Sequence, residues 1–106
     1  MISPAPGTKV FLACRPIDLR AGFNGLAAKV QQVIERNPFG GSLFIFRGKR
    51  GDYFKAIYWD GTGLWLLAKR MEKGRFVWPQ AKDGTVSLTT AQLSMLFEGL
   101  QEYPLW

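Results

Sequence analysis

Three apolar runs separated by short glycine-bearing turns occupy the middle of the chain, and they constrain the fold more than any other feature. The runs are residues 42–46, Tyr53–Trp59 and Leu64–Arg70, and the turns between them read RGKRGD and DGTG. A parallel return between neighbouring strands needs a crossover of about a dozen residues or more, so turns this short predict hairpins. Residues 75–78, RFVW, follow the turn MEKG and predict a further strand. The centre of the chain therefore predicts an antiparallel meander.

The segment before this region predicts a strand and then a helix. Residues 9–13 are an apolar run of strand length. Asp18 is a suitable helix N-cap, and Asn37 and Pro38 end the helical pattern. Between them, apolar residues recur at every third or fourth position, as on one face of an amphipathic helix. These residues are Leu19, Phe23, Leu26, Val30 and Ile34.

The segment after the meander predicts an edge strand within residues 81–88 and a short second helix. Thr89 and Gln92 have the spacing of a capping box, and apolar residues follow at helical intervals: Leu93, Leu96, Phe97 and Leu100. The predicted fold class is α+β, with a four- to five-stranded antiparallel meander, one main helix packed on a face and a short C-terminal helix.

The length of 106 residues is that of one domain, so we expect residues 1–106 to form a single unit. Residues 1–8 are rich in proline and glycine and predict an extended or mobile segment. Residues 101–106, QEYPLW, form a tail that is apolar enough to pack back on the domain or to bind a partner.

The residue content argues against catalysis. The sequence contains no histidine and one cysteine, Cys14. It therefore lacks the residues for a Ser–His or Cys–His nucleophilic pair and for a zinc site with soft ligands. It contains no phosphate-binding loop and no dinucleotide fingerprint. We therefore predict a protein that is not an enzyme and that holds no cofactor or metal. No apolar run is long enough to span a bilayer, and the N-terminus does not have the pattern of a signal peptide, so the expected location is the cytoplasm.

Positive charge is concentrated in the middle of the chain. The whole chain carries a net charge of +6, and residues 47–75 hold eight cations against three acids. Alternate turns of a meander lie at the same edge of the sheet, so RGKRGD and KRMEKGR should meet at one rim, with DGTG at the other end. A basic rim is typical of surfaces that bind nucleic acid. The predicted nucleic-acid-binding residues are Arg47, Lys49, Arg50, Lys55, Lys69, Arg70, Lys73 and Arg75.

Three tryptophans are candidates for stacking on unpaired bases or for anchoring a protein partner: Trp59, Trp65 and Trp106. Other aromatic residues of the meander, such as Phe44, Phe46, Phe76 and Trp78, are better suited to the core. The sequence leaves homo-oligomerisation open.

Three segments together resemble a known family. The segments IDLRAGFNGLA, LFIFRGKRGDYFKAIYWDGTGLWLLAKRMEKGRFVWP and LTTAQLSMLFEGL are similar to the small accessory protein, called TnpB, of insertion sequence family sixty-six. The resemblance covers the chain from about Val10 to Leu100. It implies a protein of a mobile element that assists transposition, while a separate and larger transposase performs the strand chemistry. It implies no catalytic residues.

The sequence thus predicts a non-catalytic accessory protein of DNA transposition that contacts DNA, or the transposase–DNA complex, through a basic rim. The alternative is a protein-interaction module that scaffolds the transposase, or another accessory subunit, without direct DNA contact. In that alternative, the residues that contact the partner are Trp59, Trp65, Leu100, Tyr103, Leu105 and Trp106.

Overall fold

The computed structural model describes residues 5–81 and 83–99, and it arranges them around a five-stranded mixed sheet. The strands lie in the order β4-β3-β2-β1-β5. Their bounds are β1 (Val10–Ala13), β2 (Leu43–Arg47), β3 (Tyr53–Trp59), β4 (Leu64–Arg70) and β5 (Thr85–Leu88). The α+β class is confirmed, but the antiparallel meander is limited to β2, β3 and β4.

The parallel pair of β1 and β2 was not predicted by the sequence. Val10 pairs with Leu43 and Ala13 with Phe46 in a parallel register, while β5 pairs antiparallel with β1 on its other side. The connection from β1 to β2 contains α1 (Phe23–Lys29), which continues as a π-helix (Val30–Ile34). This connection is the crossover that a parallel pair requires. The predicted edge strand within residues 81–88 is β5.

The first helix packs on one face of the sheet, as predicted. Leu26 and Val30 are fully buried, and they pack with Phe44, Phe46 and Ile57 of the central strands. The spacing of these helical residues places them on one stripe, so a single helix covers that face of the meander. Burying a side chain of this size contributes about 1.5–3 kcal/mol relative to leaving it exposed.

The predicted start of this helix is wrong. The helix begins at Phe23, and its N-cap is Gly22, which makes no side-chain capping bond. Asp18 instead accepts a hydrogen bond from the backbone N–H of Arg20 at 3.0 Å and pairs with its guanidinium. Side chains of this type compete with helix by bonding locally to the backbone two residues on, and here the local turn prevails.

The second helix, α2 (Thr90–Glu98), covers part of the other face. The predicted capping box is present, since Thr89 Oγ1 accepts from the backbone N–H of Gln92 at 3.1 Å and Gln92 Oε1 accepts from the backbone N–H of Thr89 at 2.9 Å. Leu96 and Phe97 point into the core beside Phe54 of β3. The sheet is therefore packed on both faces.

The predicted strand at residues 75–78 is wrong. This segment has no regular secondary structure, and Phe76 and Trp78 are buried on the same face of the sheet as α2. The ring of Phe76 lies 5.1 Å from that of Phe54 and 5.7 Å from that of Trp78. The alternating apolar residues are buried, but the segment packs on the face of the sheet instead of extending its edge.

Candidate nucleic-acid interface

Two cation-bearing loops lie side by side at one end of the sheet. They are residues 48–52, between β2 and β3, and residues 71–75, after β4. The backbone N–H of Met71 donates to the carbonyl of Asp52 at 2.7 Å, and that of Phe76 donates to the carbonyl of Gly51 at 3.0 Å. We call this pair of loops, together with Arg70 at the end of β4, the cationic end.

Gly51 and Trp78 position the two loops. Gly51 has a φ of +77°, a backbone conformation that favours glycine, and its carbonyl accepts a second hydrogen bond from Trp78 Nε1 at 2.9 Å. Trp78 is only 9% exposed, and an added Cβ on Gly51 would lie 3.4 Å from its Nε1. One carbonyl therefore ties the first loop to the segment that follows the second.

Five cationic residues at this end are exposed, and the two loops and Arg70 hold two acids beside them. The cations are Lys49, Arg50, Arg70, Lys73 and Arg75, and the acids are Asp52 and Glu72. Five cations against two acids leave a surplus of three positive charges. The exposed cations of the cationic end therefore outnumber its acids.

Two of these cations face carboxylates at long range. Arg50 Nε lies 3.9 Å from Asp52 Oδ1, and Arg70 Nη2 lies 3.7 Å from Glu72 Oε1. The side chains of Arg50 and Arg70 are 81% and 62% exposed. Exposed pairs of this kind contribute about 0–1 kcal/mol, so neither carboxylate holds its guanidinium firmly.

Arg47 belongs to the predicted set, but the structure turns it toward the protein. Its guanidinium lies 4.8 Å from the centre of the Trp78 ring, in a cation–π contact, and its side chain is partly buried. Burial lowers the pKa of Arg47 below its ordinary value. Its position on β2 places the guanidinium on the face of the sheet that α2 covers.

Lys55 and Lys69 are also engaged within the chain. Lys55 Nζ donates to the carbonyl of Ala21, just before α1, at 3.0 Å. Lys69 Nζ donates to the carbonyl of Phe97 in the last turn of α2. The final carbonyls of a helix have no intrahelical partner and attract a cation, so Lys69 stabilises the C-terminus of α2.

Trp59 and Trp65 lie at the opposite end of the meander from the cationic loops. Trp59 packs edge-on against Phe39, with ring centres 5.5 Å apart, and Trp65 is 42% exposed. The length of a seven-residue strand separates them from the cationic end, roughly 20 Å at about 3.4 Å per residue. The structure therefore does not bring these aromatics beside the cations. Trp106 lies outside the described residues.

Asp60 organises that opposite end. Its Oδ1 accepts from the backbone N–H groups of Thr62 at 2.8 Å and Gly63 at 2.9 Å, and its Oδ2 accepts from Trp65 Nε1 at 2.8 Å. These donors, with that of Thr62 the most important, hold the pKa of Asp60 well below its usual range. The carboxylate is thereby used to build the β3–β4 turn.

A cleft that no sequence pattern predicts lies beside the first cationic loop. It has a volume of about 570 Å³ and lies between the segment 17–20 and the loop 48–52. Arg20 lines it, with a side chain that is 91% exposed, and its bond to Asp18 lowers the pKa of Asp18 to about 2. No local pattern brings Arg20 near Lys49, because nearly thirty residues of chain separate them.

In residues 5–81 and 83–99, no cluster of three or more carboxylate or cysteine side chains has the arrangement of a metal site. Within the same ranges, no helix is long and apolar enough to cross a membrane. The cationic end combines exposed cations with loops that are held by backbone and indole hydrogen bonds.

Comparison with known proteins identifies relatives of the chain. A family model described as IS66 Orf2 like protein matches residues 8–104. The uncharacterized protein y4hO of Sinorhizobium fredii (strain NBRC 101917 / NGR234) is 43% identical over 100 residues, which cover 94% of this chain and 87% of the relative. The uncharacterized protein y4jC of the same strain is 41% identical over 100 residues, covering 94% and 86%. No solved structure matches the chain.

Proposed function

The chain belongs to the family of IS66 Orf2-like proteins, and from this membership we propose that it assists transposition by contacting DNA through its cationic end. The family implies an accessory role in transposition, as the sequence resemblance predicted. The DNA is either free or already held by a transposase. The observation that carries the proposal is the cationic end, whose two adjacent loops and last β4 residue expose Lys49, Arg50, Arg70, Lys73 and Arg75.

The chemistry of the cationic end suits a phosphate backbone. Flexible cationic side chains neutralise phosphates and release the counterions condensed on the duplex. Such contacts supply affinity and orientation but little sequence information. Because Gly51 and Trp78 hold the loops together, the cations meet the duplex as one group, without the loss of freedom that two independent loops would suffer.

The first experiment is a salt series with two duplexes, one carrying a terminal inverted repeat of the element and one of random sequence. If the five exposed cations each neutralise one phosphate, the logarithm of the binding constant falls against the logarithm of salt concentration with a slope of about −4 to −5. Similar slopes for both duplexes indicate backbone contact. A slope near zero contradicts the proposal.

The second experiment reverses charge at the cationic end. The variant Lys49→Glu/Arg50→Glu should lower duplex affinity at least about tenfold and flatten the salt slope by about 2. Lys9→Glu is the matched control for the single variant Lys49→Glu, because each reverses one charge and Lys9 is exposed at the opposite end of the sheet, just before β1. Equal losses for the two variants would mean that net charge acts without a defined surface.

A second candidate function is the scaffolding of the transposase through aromatic side chains. It is favoured by the exposed ring of Phe39, 47% accessible, which packs on Trp59 far from the cationic end. Aromatic residues of this kind anchor protein interfaces. Purified transposase should then be retained by the wild-type chain and by Lys49→Glu/Arg50→Glu, but not by Phe39→Ala/Trp59→Ala. Loss of retention with the charge variant alone would mean that the transposase contacts the cationic end, and it would contradict a contact through these aromatic side chains.

A further inference from the structure

The outer edge of β4 is a seven-residue strand edge that no strand of residues 5–81 and 83–99 covers. We propose that this edge pairs antiparallel with β4 of a second copy of the chain, so that two five-stranded sheets join into one continuous sheet. This dimer does not depend on the DNA-contact proposal. It rests on the backbone, the composition and the charge of β4 itself.

Successive residues of β4 direct their backbone N–H and C=O groups alternately toward β3 and toward the outer edge of the sheet. Asp60 N–H donates to the carbonyl of Gly63 at 3.1 Å, and Met71 N–H donates to that of Asp52, which marks these as hydrogen-bonded pairs of the β3–β4 ladder. Such pairs occur at every second position of an antiparallel ladder. The residues of β4 that bond to β3 are therefore Trp65, Leu67 and Lys69, and those whose N–H and C=O groups point outward are Leu64, Leu66, Ala68 and Arg70.

The composition of this edge does not prevent pairing. Natural edge strands are protected by proline, bulges, short length or charged residues spread along them. β4 is regular over seven residues, and its first five, LWLLA, contain no charge, glycine or proline. By contrast, the other edge strand, β5, has only four residues. Of the two edge strands, β4 is thus better suited to pair with a strand of another chain.

The charges at the end of β4 favour antiparallel pairing between two copies of this strand. In the register that pairs the whole strand, Leu67 faces the partner's Leu67, and Trp65 faces the partner's Lys69. The indole of Trp65 is 42% exposed and lies on the same face of the sheet as Lys69, so the ring can pack against the side chain of the partner's Lys69 across the interface. Arg70 faces the partner's Leu64, so no two like charges oppose each other. A parallel pair would place Lys69 and Arg70 against their own copies.

The register predicts a specific cross-link. Leu67 and the partner's Leu67 form a pair without hydrogen bonds between them, in which Cα atoms lie about 4.5 Å apart, within the span of a disulfide. Leu67→Cys should therefore form a disulfide-linked dimer under mild oxidation. Trp65→Cys is the matched control, since its counterpart in the partner is offset by four residues, roughly 14 Å along the strand. Cys14, the native cysteine, is buried, so the wild-type chain shows how much cross-linking occurs without an introduced cysteine.

A proline variant tests the edge without a cysteine. Ala68 is exposed and its N–H points outward, so Ala68→Pro blocks the interface while keeping the bonds to β3. Ser87→Pro is the matched control on the other edge. The bond from Cys14 N–H to the carbonyl of Gly84 makes the N–H of Ser87 point outward there. Sedimentation velocity should show a dimer for the wild type and Ser87→Pro, and self-association at least about tenfold weaker for Ala68→Pro.

The two experiments decide the proposal together. Cross-linking at position 67 but not at 65, with dissociation by Ala68→Pro, supports it. A monomeric wild type, or a wild-type dimer that Ala68→Pro leaves intact, overturns it. Cross-linking at 65 with none at 67 overturns the register. If a monomeric Ala68→Pro variant still binds the duplex, DNA contact does not depend on the dimer.

Discussion

At the cationic end of the meander, the loops are held by the carbonyl of Gly51 and the indole of Trp78, whereas at the other end the β3–β4 turn is held by the carboxylate of Asp60. Neutral groups support the first end, and Lys49, Arg50 and Lys73 keep their charges in solvent. At the second end the charge is the support, since Asp60 Oδ1 and Oδ2 accept bonds from the turn and from Trp65. The first end therefore keeps its cations exposed, whereas the charge at the second end is used in folding.

The same distinction divides the cations of the meander. Lys55 and Lys69 are bonded to backbone carbonyls, and Arg47 lies over the ring of Trp78, so these three contribute to packing. Lys69 is nevertheless exposed, as are Arg70 and the cations of the loops, and Arg47 and Arg70 each end their strand. Contacts between distant segments, and not position in a strand, therefore mark Arg47, Lys55 and Lys69 as structural.

The largest effect is expected from Trp78→Ala. This variant removes a buried indole that contacts Phe76 and Arg47 and donates to Gly51, so the free energy of unfolding should fall by about 3–5 kcal/mol. Trp65→Ala, at the other end, should lower it by only about 1 kcal/mol, since Trp65 is exposed and loses mainly its bond to Asp60. Urea denaturation measures both. Equal losses would contradict the difference between the two ends.

A smaller effect is expected from Gly51→Ala. At a φ of +77° an alanine is strained, and the bonds to Phe76 and Trp78 prevent the backbone from relaxing, so we expect a loss of about 2 kcal/mol in unfolding free energy. Gly41→Ala is the control, with a φ of +86° and nothing within 4 Å of an added Cβ. It should cost about 1 kcal/mol. A cost at Gly41 equal to that at Gly51 would show that the carbonyl of Gly51 does not anchor the loops.

The smallest effect concerns pH and Asp60. Because the pKa of Asp60 is lowered by folding, its carboxylate stabilises the folded state above the unfolded-state pKa of about 4, and this contribution is lost as the pH falls below that value. Asp60→Asn keeps the acceptor for Thr62 and Gly63 but loses the charge and the acceptor for Trp65. The variant should be less stable at pH 7 and should lose less stability between pH 7 and pH 3. Chemical denaturation at the two pH values provides the comparison.

An unchanged pH dependence in Asp60→Asn would mean that other carboxyl groups account for acid destabilisation. Asp18 is the first to consider, since Arg20 lowers its pKa to about 2. Asp18→Asn should therefore reduce the pH dependence in the same direction. The two variants together separate the contribution of the β3–β4 turn from that of the cleft beside the first cationic loop.

Elements defined by local periodicity were predictable from the sequence. Strands β3 and β4 have the predicted bounds, Tyr53–Trp59 and Leu64–Arg70, because their turns carry clear glycine signals. The capping box of Thr89 and Gln92 is also as predicted. In contrast, residues 75–78 alternate like a strand but bury Phe76 and Trp78 against the face that α2 covers. Alternation predicts which side chains are buried but not whether the backbone pairs with a neighbour.

The candidate site divides in the same way. The sequence identified the cations of the meander and the turns that carry them, but it did not separate Lys49, whose ammonium group is exposed, from Lys55, which is bonded to Ala21. It also missed Arg20, which lines the cleft beside the first cationic loop. Those distinctions depend on which segments cross the faces of the sheet.

By itself, the sequence determined the family, the α+β class, the central hairpins and the concentration of positive charge, because each is carried by composition or by a pattern within a few residues. Only the tertiary structure decided that β1 runs parallel to β2 and that Gly51 joins two loops. It also decided which cations are engaged within the chain. The physical reason is that these outcomes depend on contacts between segments far apart in the chain, where burial and backbone bonding select one arrangement among several that local patterns allow.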